Sequence, residues 1–155
     1  MSCLNDRFPP PVSKSLAASV PFNPNKPGAV PRFVGIRLGT VKTTGTGSIE
    51  PDASMENSPP VLFDALVLPD GEAGVRALAA DGHTMEFVKD QFGHCKTILA
   101  LGASGTLLDK AGIPAKVSDA GLIRAKGTDK NAAKRFIRSV AMHRHPERET
   151  DPPLI

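Results

Sequence analysis

The sequence contains no tryptophan and no tyrosine, so phenylalanine supplies all of its aromatic side chains. Without an aromatic run on which bases could stack, a single-stranded nucleic-acid site is disfavoured. The two cysteines, Cys3 and Cys95, are too few and too far apart for a disulfide framework or a zinc site. No run approaches the ~20 apolar residues of a membrane span, and no signal-type apolar stretch opens the chain. We therefore expect a cytoplasmic protein with neither membrane nor nucleic-acid partners.

The chain has only a small excess of positive charge, with a net charge of +3 and a pI of about 9.0. Positive side chains gather late in the chain, at Arg124, Lys126, Lys130, Lys134, Arg135, Arg138, Arg144 and Arg148. One interpretation is a nucleic-acid patch. A solvated helix face or a subunit contact is favoured over it, because no aromatic side chains lie among these charges.

The length of 155 residues, with 40% hydrophobic and 23% charged side chains, is enough for one globular domain. Prolines crowd the N-terminal part, where Pro9-Pro10-Pro11 is followed by Pro21, Pro24 and Pro27. This composition predicts a linker or irregular segment over residues 1–27. The domain is expected over residues 28–145, and residues 146–155 are expected to form a C-terminal tail.

Apolar runs alternate with helical patterns along the middle of the chain. Two nearly continuous runs, residues 61–68 and 97–101, predict parallel strands that are covered on both faces. Shorter buried strands are expected within residues 29–36 and 115–125, and residues 39–46 resemble one arm of a hairpin. The order of strand and helix is typical of an α/β fold with an open, mostly parallel sheet and helices on both faces.

Four helices are expected between and after these strands. The first ends at Asp81-Gly82, and the second runs from about Thr84 to Gly93, each with a glycine as a left-handed cap. A short helix follows the turn after residue 101. The last helix begins near Thr128 or Asp129 and is expected to bury Ala133, Phe136, Ile137 and Val140.

The sharp turn from strand to helix at Leu101–Gly105 is where an open parallel sheet would place chemistry. Such an elbow exposes a nucleophile beside amides that stabilise an oxyanion, but Gly102 and Ala103 have no side chain that could attack or transfer a proton. Ser104 is the remaining nucleophile candidate, with Asp70 as its only plausible base, and an N-cap role is favoured for it. A phosphate cradle at Gly102-x-x-Gly105 is a weaker alternative.

The histidines and Cys95 have competing interpretations as well. His143 and His145 could hold a metal if they lay on a strand, but a helix-end or surface contact is favoured. His83 is expected at a helix start and His94 just before a strand. Cys95, between His94 and Lys96, resembles an activated thiol, although its place before a buried strand favours a structural role.

Several segments resemble, in order, the C-terminal domain of large-subunit monofunctional haem catalases. The similar segments are Arg37–Val41, Phe63–Gly71, His94–Lys96, Ile98–Gly102, Leu107–Ile113 and His143–Pro153. The resemblance covers roughly Gly28 to the C-terminus. It implies a flavodoxin-like fold of the class I glutamine amidotransferase-like superfamily, whose enzymatic members carry an elbow cysteine where this chain has Gly102. It also implies a structural or chaperone-like domain without catalytic residues.

Two departures from that family matter. The haem core is not part of this chain, and the usual tyrosinate ligand cannot be present in a sequence without tyrosine, so no cofactor and no metal are expected. The family's opening strand and first helix are also expected to be missing, so the fold is truncated at its first βα unit. A central strand would then be lost. Either Ser13–Val20 takes its place, or the sheet rearranges, or the isolated protein is only marginally stable, and we predict the last of these.

The leading hypothesis is a non-catalytic accessory domain linked to the hydrogen peroxide response. Its expected partner is a haem catalase core or a second copy. The alternative is a chaperone-like or small-molecule-binding member of the superfamily, with a vestigial pocket at Asp70, Gly71, Gly102 and Ser104. A hydrolase that uses Ser104 or Cys95 as its nucleophile is the disfavoured third hypothesis.

Overall fold

A three-stranded parallel sheet forms the centre of the protein in the computed structural model, which describes residues 30–43, 47–115 and 119–149. Its strands are β5 (Ala65–Leu68), β6 (Thr97–Leu101) and β7 (Leu122–Ala125), in the order β5-β6-β7. Leu66 lies beside Ile98, which in turn lies beside Leu122. The mixed α/β class with a mostly parallel sheet is thus confirmed, whereas the predicted linker at residues 1–27 lies outside the described residues.

Short strand pairs precede this sheet. Strand β1 (Val34–Gly35) pairs in parallel with β4 (Ala53–Ser54), and β2 (Val41–Lys42) pairs antiparallel with β3 (Ser48–Ile49). The second pair confirms the predicted hairpin. The buried strand expected within residues 29–36 is wrong in extent, because only two residues pair and the side chains of Val30 and Phe33 are exposed.

Strand β5 is shorter than its apolar run. Residues Pro60–Leu62 form a 3-10 turn, and the side chain of Leu62 is 69% exposed, so the expected strand over residues 61–68 is wrong in its first half. The carbonyl groups of this turn bind buried side chains in place of a neighbouring strand: Lys96 Nζ donates to Val61 O (2.8 Å), and Gln91 Nε2 donates to Pro60 O (2.5 Å).

The helices follow as α1 (Glu72–Ala80), α2 (Gly82–Gly93), α3 (Gly105–Lys110) and α4 (Ala132–Val140). The predicted glycine caps are wrong. Asp81 separates α1 from α2 and accepts a hydrogen bond from Thr84 N (2.7 Å), so Gly82 begins a helix. After Gly93 the left-handed residue is Cys95, with φ of 58°.

Two apolar clusters cover the sheet. The larger includes Val75, Val88, Ile98 and Leu107 and joins α1, α2 and α3 to one face. The smaller joins Leu99 and Ile123 to α4. On α4 the buried residues are Ala132 and Ser139, with Phe136 partly buried. The predicted burial of Ile137 is wrong, since the spacing 132, 136, 139 turns that side chain to solvent. Val117, expected in the strand before α4, lies outside the described residues.

Candidate functional site

The carboxyl ends of β5 and β6 bring the predicted elbow next to Asp70. Gly102 follows β6 directly and has a φ of 53°, a left-handed conformation that residues with a Cβ adopt only at a cost. Residues Gly102–Ser104 form a 3-10 turn that leads into α3. The sharp turn of an elbow is therefore present, although Gly102 and Ala103 have no side chain that could attack a substrate.

The Asp70 carboxylate occupies the space in front of this turn. Its Oδ1 accepts hydrogen bonds from Gly71 N (2.8 Å) and Ala103 N (2.9 Å). A Cβ added to Gly102 would overlap all three atoms of the carboxyl group, and a Cβ on Gly127 would lie 2.7 Å from Oδ2. The Ala103 amide of the elbow, which could otherwise stabilise an oxyanion, thus binds a carboxylate of the protein itself.

Ser104 lies beneath the turn and is 0% exposed. Its Oγ donates to Leu101 O (2.8 Å) and Leu68 O (3.1 Å). Ser104 is the N-cap residue of α3, as expected, but its side chain makes no cap hydrogen bond. It instead ties the end of β6 to the end of β5. The hydrogen bonds of Asp70 go to backbone amides, so the structure shows no pairing of Ser104 with a base.

Arg124 on β7 borders the elbow and is a residue that sequence reasoning named only as part of a charged region. Its Nη1 donates to Asp109 Oδ1 (2.8 Å) and Gly105 O (3.1 Å), so the guanidinium holds the start of α3. The register of β7, which places Arg124 beside Ala100 of β6, brings it there. A depression of about 380 Å³ lies at this point, lined by Gly102, Gly105, Thr106, Arg124 and Lys126, among others.

His145 is not at the surface, which corrects the expected surface contact. It is 1% exposed, and its Nε2 lies 2.9 Å from Ser139 Oγ and 3.1 Å from Thr97 Oγ1. The ring packs against Gly121, where a Cβ would overlap it. His143, two residues earlier, is exposed with a φ of 69°. The two histidines therefore face different surroundings, and His145 joins the C-terminal segment to β6 and α4.

A buried ion pair continues this attachment. Arg148 donates from Nη2 to Asp119 Oδ1 (2.7 Å) and from Nε to Oδ2 (2.8 Å), and both side chains are 1% exposed. Arg148 also donates to Lys96 O (2.7 Å) and lies over the Phe92 ring, 4.8 Å from its centroid. Burial opposes ionisation of Asp119, but its hydrogen bonds and charge interaction with Arg148 prevail and lower its pKa.

Cys95 does not have the lowered pKa of an activated thiol. It is buried, and desolvation raises the pKa of its thiol. Its left-handed backbone ends α2: Cys95 N donates to Phe92 O (3.0 Å) and Lys96 N to Gln91 O (3.1 Å). These two bonds form a Schellman motif, so the conformation of Cys95 is explained by the end of the helix.

His83 lies in the first turn of α2, where its Nδ1 is 3.6 Å from Glu86 Oε2, and His94 directly follows that helix. In residues 30–43, 47–115 and 119–149, no group of three or more His, Cys, Asp or Glu side chains could hold a metal ion. No helix in the same ranges is long and apolar enough to cross a membrane.

Sequence comparison relates the chain to one family. A family model of the C-terminal domain found in long catalases matches residues 25–150. Catalase HPII of Pseudomonas putida is 34% identical over 121 residues, which cover 78% of this chain and 16% of that protein. Catalase-B of Dictyostelium discoideum is 29% identical over 126 residues, covering 81% of this chain and 18% of that protein. The chain thus spans less than a fifth of these relatives.

Solved structures share the fold. A ThiJ/PfpI family protein from Pseudomonas syringae superposes with a TM-score of 0.56 at 20% identity, over 73% of this chain and 56% of that one. Drosophila melanogaster DJ-1beta superposes with a TM-score of 0.55 at 22% identity, over 68% of this chain and 69% of that one. The flavodoxin-like α/β fold expected from the sequence is confirmed.

Proposed function

The chain belongs to the family of C-terminal domains found in long catalases, and we propose that it is a non-catalytic accessory domain that acts by contact with a haem catalase. The family match favours this role over an independent chaperone-like or small-molecule-binding member of the superfamily. The link to hydrogen peroxide comes from the catalases that the chain resembles.

The observation that carries the proposal is the occupied elbow. Gly102 offers no nucleophile, and the Asp70 carboxylate fills the space where an attacking side chain and its oxyanion would lie. Ser104 is buried and donates to two backbone carbonyl groups, so it has neither access to a substrate nor a base. Acyl transfer at this turn would require Asp70 to leave both of its amide donors.

Haem chemistry has no support from the residues of this chain. Catalases bind the haem iron through a tyrosinate, and the sequence contains no tyrosine. The buried His145 is held by two hydroxyl groups and packs against Gly121, an environment without room for a porphyrin. We therefore assign no step of peroxide decomposition to this chain.

The first test measures haem binding together with peroxide decomposition. The purified chain is titrated with haemin, and its Soret absorption and oxygen release from peroxide are measured. We expect neither a specific Soret shift nor turnover. A tightly bound haem that turns over peroxide would contradict the non-catalytic assignment.

The accessory role has its own readout. The chain is mixed with a large-subunit haem catalase from the same organism, and co-elution on size-exclusion chromatography and the rate of thermal inactivation of the catalase are measured. We expect co-elution and slower inactivation. Separate elution together with unchanged inactivation would contradict a catalase-binding role, whatever the outcome of the haemin titration.

A further inference from the structure

Strand β7 has an open edge in the described sheet. Its pairing partner is β6, and Ile98 N donates to Gly121 O (2.7 Å). Hydrogen bonds in a parallel pair use alternate residues of each strand, so Gly121, Ile123 and Ala125 bond to β6. The N–H and C=O groups of Leu122 and Arg124 therefore point away from β6, where no other described strand pairs with them.

Depressions lie on both sides of this edge. The one near the elbow, of about 380 Å³, is bordered by Arg124, Ala125 and Lys126. The other, of about 510 Å³, lies between β7 and α4 and is lined by Leu122, Ile123 and Arg124 together with residues of α4. Arg124 borders both, so the free edge of β7 runs between two spaces that could receive the side chains of an added strand.

The walls of these depressions are positively charged. Arg124 pairs with Asp109, and Arg135 pairs with Asp129 (2.6 Å). Within the described ranges, Arg138 and Lys126 make no ion pair, and Asp119 is already neutralised by Arg148. An acidic ligand would therefore meet uncompensated positive charge on both sides of the edge. Beside Arg138, Met142 adds an apolar surface that is 57% exposed.

We propose that the open edge of β7 binds an extended acidic polypeptide segment, which adds to the sheet as a further strand. Backbone hydrogen bonds to Leu122 and Arg124 would supply the pairing, and glutamate or aspartate side chains would face Arg138 and Lys126. The backbone groups of β7 that pair with no described strand match a polypeptide better than a nucleic acid, and no aromatic side chain lines either depression.

The inference goes beyond the accessory role, because it identifies a surface and a ligand chemistry without reference to catalase. It also differs from a contact by charge alone, since strand addition requires donors and acceptors on the backbone of the ligand. A charged surface would bind an acidic peptide whether or not its amides were free.

The test uses the full chain and a fluorescein-labelled ten-residue peptide in which pairs of glutamates alternate with pairs of threonines, so that acidic side chains point to both faces of the added strand. Anisotropy reports affinity, and amide hydrogen exchange measured by NMR reports the binding position. In the free protein, the amides of Ile123 and Ala125 should exchange slowly and those of Leu122 and Arg124 quickly. Saturating peptide should slow exchange at Leu122 and Arg124 by at least about tenfold.

Two variants with the same charge change separate the edge from general electrostatics. Arg138→Glu should weaken peptide binding by about tenfold or more. Lys89→Glu, on the exposed side of α2 across the sheet, should change it by less than about twofold. A fully N-methylated peptide of the same sequence should lose binding, because it keeps its charge but has no amide donors.

Several results would overturn the inference. Equal weakening by both variants, or full binding of the N-methylated peptide, would mean attraction by net charge without strand addition. Protection that appears at β5 and not at Leu122 and Arg124 would place the ligand on the other edge. Competition by a fifteen-nucleotide oligothymidylate with equal affinity would indicate a surface that binds polyanions such as nucleic acids.

Discussion

Replacing Arg148 by methionine should detach the C-terminal segment from the domain and lower the stability of the whole domain. The substitution removes two hydrogen bonds to Asp119, one to Lys96 O and the contact with the Phe92 ring. Because the Asp119 side chain is only 1% exposed, the substitution would leave its carboxylate buried without its cationic partner.

The structure sets the expected magnitude. Removing one partner of a buried, hydrogen-bonded ion pair costs about 3–5 kcal/mol, since the other charge remains buried and unpaired. For a chain of this size, the melting temperature should fall by roughly 6–20 °C. The exposed pair of Arg76 and Glu72 on α1 is the matched control, with side chains 76% and 85% exposed. Arg76→Met should cost less than about 0.5 kcal/mol.

Urea denaturation followed by circular dichroism at 222 nm measures the free energy of unfolding of both variants. The double variant Asp119→Leu with Arg148→Met should recover most of the loss, because no unpaired charge is left buried. A cost for Arg148→Met as small as that for Arg76→Met would refute the reasoning. A double variant no more stable than Arg148→Met would show that the segment depends on contacts other than the charge.

Other predictions concern pH, the elbow and the thiol. The pKa of Asp119 is lower in the folded state than in the unfolded state. The stabilisation that Asp119 contributes should therefore be complete above about pH 4 and should disappear as the pH falls through the folded pKa. Urea titrations of wild type and Asp119→Asn at a series of pH values would measure this loss. An equal acid sensitivity of the two proteins would count against it. Gly102→Cys should lower the free energy of unfolding by at least about 2 kcal/mol, because φ at this position is positive and Asp70 must move. As the control in the same assay, Gly82→Ala places its Cβ in open space and should be neutral or stabilising. A stable Gly102→Cys protein would mean that the Asp70 carboxylate is not fixed there. In a Cys3→Ser background, Cys95 should react with a thiol reagent only after urea unfolding, and rapid labelling of the native protein would contradict its burial and raised pKa.

Local patterns were sufficient to predict much of the sheet. Strand β6 has the boundaries expected from its uninterrupted apolar run, and α1 follows β5 as its spacing indicated. The elbow at Gly102 was also predicted, because a glycine directly after a buried strand indicates a sharp turn. Periodicity and turn chemistry are properties of neighbouring residues, which explains why they can be read without the fold.

Predictions failed where a partner far along the chain decides the outcome. Val61 and Leu62 continue the apolar run of β5, but the carbonyl groups around them bind Lys96 and Gln91, more than 25 residues later. Ser104 has the sequence position of an N-cap, but the end of β5 supplies a carbonyl acceptor for its hydroxyl. In each case a long-range hydrogen bond outweighed a local preference.

The sequence by itself determined that this chain contains no tyrosine and that Gly102 and Ala103 have no side chain that could attack a substrate. These are statements about which atoms exist, so no folding is needed to make them. Only the tertiary structure decided that Asp70 fills the elbow, that His145 and Arg148 are buried, and that the edge of β7 is free in the described sheet. Such properties depend on which strands and side chains meet in space, and that follows from packing between segments distant in the chain.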